Sequence, residues 1–107
     1  MVHAGYLEQF PTAGLTGKYT CVEDFYLRAR EDAYLTGGIE NGMIVAGHTP
    51  TLSKDYMMYN GGLVYQHHDP QKNCLYYDID CGCSYRTVRA NARLACLCAE
   101  TGAIYYL

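Results

Sequence analysis

The chain has 107 residues and a formal net charge of −3, from 8 Lys and Arg against 11 Asp and Glu. This length predicts one small domain over residues 1–107, and about half of the residues are hydrophobic, enough for a core. The basic residues are scattered, which argues against nucleic acid as a partner. An apolar run of about 18 residues, which a membrane span needs, does not occur. The first residues show no signal-peptide pattern, so we expect a cytoplasmic protein whose six cysteines stay reduced.

The first third of the chain predicts one principal helix. Residues 1–3 are typical of the end of a strand, and 4–20, with glycines and a proline, of a loop. Thr20 is a candidate N-cap for a helix over 21–35, in which apolar residues recur at helical spacing. The glycine pair at 37–38 is expected to end this helix.

The rest of the chain predicts strands. The uniformly apolar run Met43–Ala46 is typical of a strand buried on both faces. Four later runs also predict strands, at 62–66, 74–79, 94–98 and 103–107. Turn residues at 69–73 and at 100–102 are expected to join these runs in pairs. We therefore expect an α/β (α+β) fold with one main helix and a mixed, mostly antiparallel sheet of about five strands.

Two histidines follow short apolar runs. His3 lies in the sequence Val-His-Ala-Gly, and His48 in Gly-His-Thr-Pro directly after the predicted strand Met43–Ala46. Open α/β sheets place ligand-binding groups at strand ends, and neutral imidazole is a favoured ligand of zinc, manganese and iron. Two ligands fall short of a complete metal site, however, and either histidine is also typical of an ordinary loop.

Two arginines lie on the predicted helix. Arg28 or Arg30 could bind a phosphoryl group through two parallel hydrogen bonds from its guanidinium. The alternative is a solvated helix face on which Arg28 pairs with Asp32, four residues later.

The cysteines offer a competing interpretation. Cys81 and Cys83 form one Cys-x-Cys pair, and Cys96 and Cys98 form another. Residues two apart share a face of a strand, so the two pairs predict a four-thiolate zinc site. Against zinc, structural sites more often have longer gaps between ligands, and strand cysteines often serve as small buried hydrophobic residues.

Four segments follow one another along the chain: Gly-His-Thr-Pro-Thr at 47–51, Ile-Asp-Cys-Gly-Cys at 79–83, Arg-Leu-Ala-Cys-Leu at 93–97 and the Tyr-Tyr-Leu ending. Together they resemble the C-terminal half of bacterial calcineurin-like metallophosphoesterases. The branch that the chain resembles contains serine/threonine protein phosphatases and symmetrical dinucleoside tetraphosphatases. The resemblance implies the second half of an α/β/β/α sandwich and hydrolysis of phosphoesters.

The resemblance also implies roles for individual residues. His3 and His48 match histidines that bind the second of two divalent metal ions, which would be manganese, iron or zinc. Arg30 matches the arginine that binds the substrate phosphate. Arg28 stands where the family usually has tryptophan, so it stays a second candidate for phosphate binding. The implied substrate is a phosphoprotein, a dinucleoside polyphosphate or a small phosphoester.

Three family motifs do not occur in the sequence: Gly-Asp-x-His-Gly, Gly-Asp-x-x-Asp-Arg-Gly and Gly-Asn-His-Glu. In the family they supply the first-metal ligands, the bridging aspartate and the general acid. We therefore expect a truncated fragment, inactive alone, that functions with a missing N-terminal half or forms a homo-oligomer. The alternatives are a non-catalytic, self-associating fragment and a Cys-rich zinc module.

Overall fold

The computed structural model describes residues 1–10, 15 and 17–107, which form a small mixed α/β domain. Two short helices come first, α1 (Val22–Arg28) and α2 (Asp32–Leu35). Five short strands follow: β1 (Met43–Ala46), β2 (Tyr65–Asp69), β3 (Cys74–Asp78), β4 (Ala95–Leu97) and β5 (Ile104–Tyr106). A 3-10 turn at Cys83–Tyr85 lies between β3 and β4. The predicted loop over 4–20 is irregular where it is described, and residues 11–14 and 16 lie outside the described residues.

The prediction of one helix over 21–35 is wrong, because the helix is interrupted at Ala29. The backbone of Ala29 is extended, with φ −59° and ψ 138°, which separates α1 from α2. The apolar spacing survives the break, since Phe25, Ala29 and Ala33 are all fully buried. These three residues are therefore buried without a continuous helix. Arg30 lies in the break between α1 and α2 and is not part of either helix.

Both ends of the helical region have local explanations. Cys21, not Thr20, is the N-cap residue, and the carboxylate of Asp24 accepts the backbone N–H of Thr20 at 3.0 Å. At the other end, the N–H of Gly37 donates to the carbonyl of Asp32 at 2.9 Å, as expected for a helix closed by glycine.

The strands form two sheets, so the prediction of a single sheet of about five strands is wrong. The first sheet has the order β1-β3-β2, with β1 parallel and β2 antiparallel to β3. The hairpin β4-β5 forms the second. The positions of the strands are confirmed to within about three residues, as are the two turns that join them.

The start of the chain occupies the outer edge of β1. The N–H of Val2 donates to the carbonyl of Val45, and the N–H of Gly47 donates to the carbonyl of His3, each at 2.9 Å. The predicted strand end at 1–3 thus lies beside β1 without forming a regular ladder. These bonds satisfy polar groups that an edge strand would leave unpaired.

The main core joins the N-terminal segment, the helices and the first sheet. Phe25, Ile44, Ala46, Met58 and Tyr76 are buried together there. The prediction that β1 is buried on both faces holds only for part of its residues, since Ile44 and Ala46 are buried while the other two are half-buried. No helix in the described part of the chain has the length and apolar character needed to cross a membrane.

Candidate metal and phosphate site

Two imidazoles 45 residues apart in sequence meet at one end of β1. Nε2 of His3 lies 3.1 Å from Nδ1 of His48, and the two ring planes are inclined at 54°. The backbone hydrogen bond from Gly47 to His3 brings the two histidines together, because His3 accepts this bond and His48 directly follows its donor. His3 is exposed and His48 is half-buried, so the pair opens to solvent on one side.

The backbone at His48 is unusual. Its φ of 78° lies in the left-handed region, which residues with a side chain seldom adopt. The N–H of Thr49 closes a tight turn onto the carbonyl of Gly47 at 3.0 Å. Such conformations cost about 1–3 kcal/mol and are found preferentially at functional sites. Here the turn at the end of β1 directs the imidazole toward His3.

Arg30 approaches the same turn from the break between α1 and α2. Its guanidinium lies 3.4 Å from Oγ1 of the buried Thr49, and 4.2 Å from the ring centroid of Tyr56. A cation over an aromatic face is held by the ring quadrupole. Arg30 is half-buried, so it retains access to a ligand beside the histidines.

Arg28 is placed differently. It is exposed on α1 and forms an ion pair with Asp24, one turn earlier. The predicted pair of Arg28 with Asp32 is wrong, because the Asp32 carboxylate binds Nζ of Lys18 at 2.7 Å and the hydroxyl of Tyr19 at 2.9 Å. Of the two candidates, only Arg30 has a described contact within the turn that carries His48.

The environment favours a neutral His48. Burial lowers its pKa, the positive charge of Arg30 and the neighbouring His3 lower it further, and Asp80 opposes them. Neutral imidazole is the form that binds metal ions. The site thus keeps a ring nitrogen lone pair available near neutral pH.

Two aspartates at the same edge were not predicted as site residues. Asp78 ends β3 opposite Ala46, and Asp80 follows. Oδ1 of Asp78 accepts the N–H of Asp80 at 3.0 Å, while Oδ2 is buried without a hydrogen-bond partner among the described residues. Burial raises the pKa of Asp78 to about 8, although the hydrogen bond from Asp80 and the charge of Arg30 oppose this shift.

A signal for these aspartates was present in the sequence. The apolar run Met43–Ala46 is followed by Gly47 and His48, and the predicted strand at 74–79 contains Asp78 and is followed by Asp80. Once the strands are parallel neighbours, their carboxyl ends meet at one edge, where ligand groups gather in open α/β sheets. The sequence alone did not reveal that these two strands pair.

The histidine geometry fits two ligands of one metal ion. Metal–nitrogen bonds of about 2.0–2.1 Å at a near-tetrahedral angle place two ligand nitrogens about 3.3 Å apart. The observed 3.1 Å is close to this separation, and it is also the distance of a hydrogen bond in which one imidazole donates to the other. Among the described residues, no three His, Cys, Asp or Glu side chains are grouped to hold a metal. Two imidazoles alone fall short of a complete metal site.

The cysteines do not assemble into the alternative zinc site. Cys81 is buried, Cys83 and Cys98 are half-buried, and Cys96 is exposed on β4. All four are free thiols, and in the described part of the chain they contribute to no cluster of three potential ligands. The backbone segments of the two pairs are neighbours, since the N–H of Arg93 donates to the carbonyl of Cys81 at 3.0 Å, but among the described residues their thiols are not grouped as a metal site.

Comparisons of the chain with protein-family models, with curated proteins and with solved structures find no match.

Proposed function

We propose that this chain contributes two metal ligands and a phosphate-binding arginine to a metal-dependent phosphoesterase of the calcineurin-like type, acting on a phosphoprotein or a smaller phosphoester. The observation that carries the proposal is the convergence of His3 and His48, with ring nitrogens 3.1 Å apart. Arg30, the residue that the family resemblance associates with phosphate, contacts Thr49 in the same turn.

In this proposal the histidines bind the metal ion and the arginine binds the phosphate. His3 and His48 would hold one divalent ion, manganese, iron or zinc, which supplies Lewis-acid polarisation of a phosphoryl oxygen. Arg30 would bind and orient the phosphate, since its planar guanidinium matches two phosphate oxygens. Its stacking on Tyr56 limits the orientations of the guanidinium before substrate arrives.

Asp78 has a supporting role in this proposal. A carboxyl group with a pKa of about 8 keeps its proton near neutral pH. The charge of Arg30 is then not cancelled by Asp78 and remains available to an anionic ligand. The carboxyl group of Asp80, two residues further on, would be the acidic group at this edge nearest in sequence to Asp78.

A two-metal hydrolase needs more ligands than His3 and His48 provide. In this proposal another segment, from the same polypeptide or a second chain, supplies them. The two helices and two sheets described above would then be the second half of an α/β/β/α sandwich.

Calorimetric titration of the chain with manganese or zinc chloride tests the metal site. His3→Ala and His48→Ala should each abolish site-specific binding, because one remaining imidazole is a weak ligand. His68→Ala is the matched control, since His68 pairs with Leu75 on β3, away from the Asp78 end. Unchanged affinity in both site variants, or equal loss in the control, would refute the proposal.

Exposed apolar side chains favour a second candidate function, self-association. Leu94, Tyr105 and Leu107, in and beside the β4-β5 hairpin, are 47%, 63% and 80% exposed. A two-stranded ribbon is marginally stable by itself, and exposed apolar surface promotes association. Light scattering after size exclusion should show a dimer or larger, and Tyr105→Lys should shift it toward the monomer. A wild-type mass of 12.0 kDa at micromolar concentration would exclude this function.

A further inference from the structure

A cleft of about 780 Å³ lies beside the candidate site. Pro50, two residues after His48, and Tyr56, the ring that stacks on Arg30, both line it. The cleft therefore shares a wall with the residue expected to bind phosphate.

Tyrosines and cations dominate the walls. Tyr59 and Tyr85 join Tyr56 around the cleft, and Lys54 and Arg89 add two positive charges. One acid, Asp55, also lines it and is hydrogen-bonded to the hydroxyl of Ser53 at 3.3 Å. In a chain of net charge −3, this is a local excess of positive charge.

The floor of the cleft is packed in place. Leu52 lies against Gly62 and Gly82, where an added Cβ would come within 3.2 Å and 2.9 Å of its side chain. Both glycines have positive φ, a conformation that residues with a side chain seldom adopt. Leu52 is thus packed against two backbone segments, which fixes its position in the wall of the cleft.

We propose that this cleft binds the planar aromatic ring of a phosphate ester, with the phosphate directed to Arg30. Tyrosine faces stack on planar rings, and nearby cations favour an anionic ligand. A nucleoside phosphate and a phosphotyrosine share this chemistry. The placement of the phosphate rests on the proposed function, whereas binding of the ring in the cleft does not.

Two matched pairs of ligands test the proposal on the metal-free chain in the presence of a chelator. Adenosine monophosphate is compared with ribose 5-phosphate, and O-phosphotyrosine with O-phosphoserine, by NMR titration. At least one ring-bearing ligand should bind about tenfold more tightly than its ring-free partner, as expected for one stacked ring. The pair that shows the difference identifies the source of the ring.

Substitutions locate the ring. Tyr59→Leu and Tyr85→Leu should each reduce the affinity for the preferred ligand several-fold and leave its ring-free partner unchanged. His68→Leu, which removes an exposed ring on β2 outside the cleft lining, is the control. In the unsubstituted chain, the largest shifts should fall on the cleft-lining segments 50–59 and 85–91, which tests the proposal even if a variant misfolds.

Equal affinity within both pairs, no binding at millimolar concentration, or shifts that fall away from the cleft would overturn the proposal. Since no metal is present, a failure here is separate from a failure of the histidine site. Conversely, loss of metal binding in the histidine variants leaves the prediction for the ring unchanged.

Discussion

The buried carboxyl of Asp78 provides the sharpest quantitative test of the structure. Asp78 is fully buried, and its Oδ2 has no hydrogen-bond partner among the described residues. Burial raises its pKa from an ordinary value of 3.8 to about 8. The folded chain therefore holds a proton that the unfolded chain releases between these two values.

The sign and size of the effect follow from proton linkage. Below about pH 4 Asp78 is protonated in both the folded and the unfolded chain, so its burial as a charge does not lower the free energy of unfolding. Between pH 4 and 8 the free energy of unfolding should fall by about 1.4 kcal/mol per pH unit through this group alone. At pH 7 the loss approaches about 4 kcal/mol, a large share of the roughly 5–15 kcal/mol typical of a domain.

Asp78→Asn replaces the titratable carboxyl group with an uncharged amide of nearly the same size and shape. The amide oxygen can still accept the N–H of Asp80, and no charge is buried at any pH. We expect the variant to match the unsubstituted chain near pH 4 and to exceed its melting temperature by roughly 10 °C or more at pH 8. Asp55→Asn, an exposed loop residue, is the control.

Urea and thermal unfolding followed by circular dichroism from pH 4 to 8.5, with reductant and chelator present, would measure the difference. The diagnostic quantity is the increase with pH of the difference in stability between Asp78→Asn and the unsubstituted chain. Histidine titration does not produce such an increase, because it contributes equally to both proteins. Parallel curves for Asp78→Asn and the unsubstituted chain would show that Asp78 ionises normally, and would refute the reasoning from burial.

Further outcomes can be checked with the same protein. Supplied with manganese, the chain alone should hydrolyse p-nitrophenyl phosphate no faster than buffer, because the proposed metal site has only two ligands among the described residues; a turnover number of about 1 per second or more would contradict this. Phe25→Ala should lower the free energy of unfolding by about 3–5 kcal/mol, since Phe25 is fully buried, and a loss under about 1 kcal/mol would contradict its place in the core. Arg28→Ala should leave the urea midpoint of unfolding nearly unchanged, because Arg28 is exposed where it pairs with Asp24; a clear fall in the midpoint would show that more than this pair depends on it. In thiol labelling at neutral pH, Cys98, whose pKa is lowered by hydrogen bonds from Thr101, should react faster than Cys81, whose pKa burial raises to about 11; the reverse order would contradict the described burial.

Short-range features were predictable from the sequence. The apolar run of β1 and the glycine that closes α2 were correctly located, because each depends on neighbouring residues. The turn before β5 was also predictable, since Gly102 adopts a φ of 76° that glycine accommodates without strain. The family resemblance singled out His3, His48 and Arg30 as candidates, but it did not establish that they meet.

The tertiary structure decided everything that depends on contacts between distant segments. Spacing of apolar residues predicted a continuous helix over 21–35, but it specifies only which side chains are buried, and Ala29 remains buried with an extended backbone. Likewise, alternation along a strand does not say which strand it pairs with, so β4 and β5 formed a separate sheet. The parallel pairing of β1 with β3 placed Asp78 beside the turn of His48, and the backbone bonds of the first residues placed His3 there. This candidate site depends on long-range hydrogen bonds and core burial, which are contacts between segments far apart in the sequence, and a local sequence pattern does not specify such contacts.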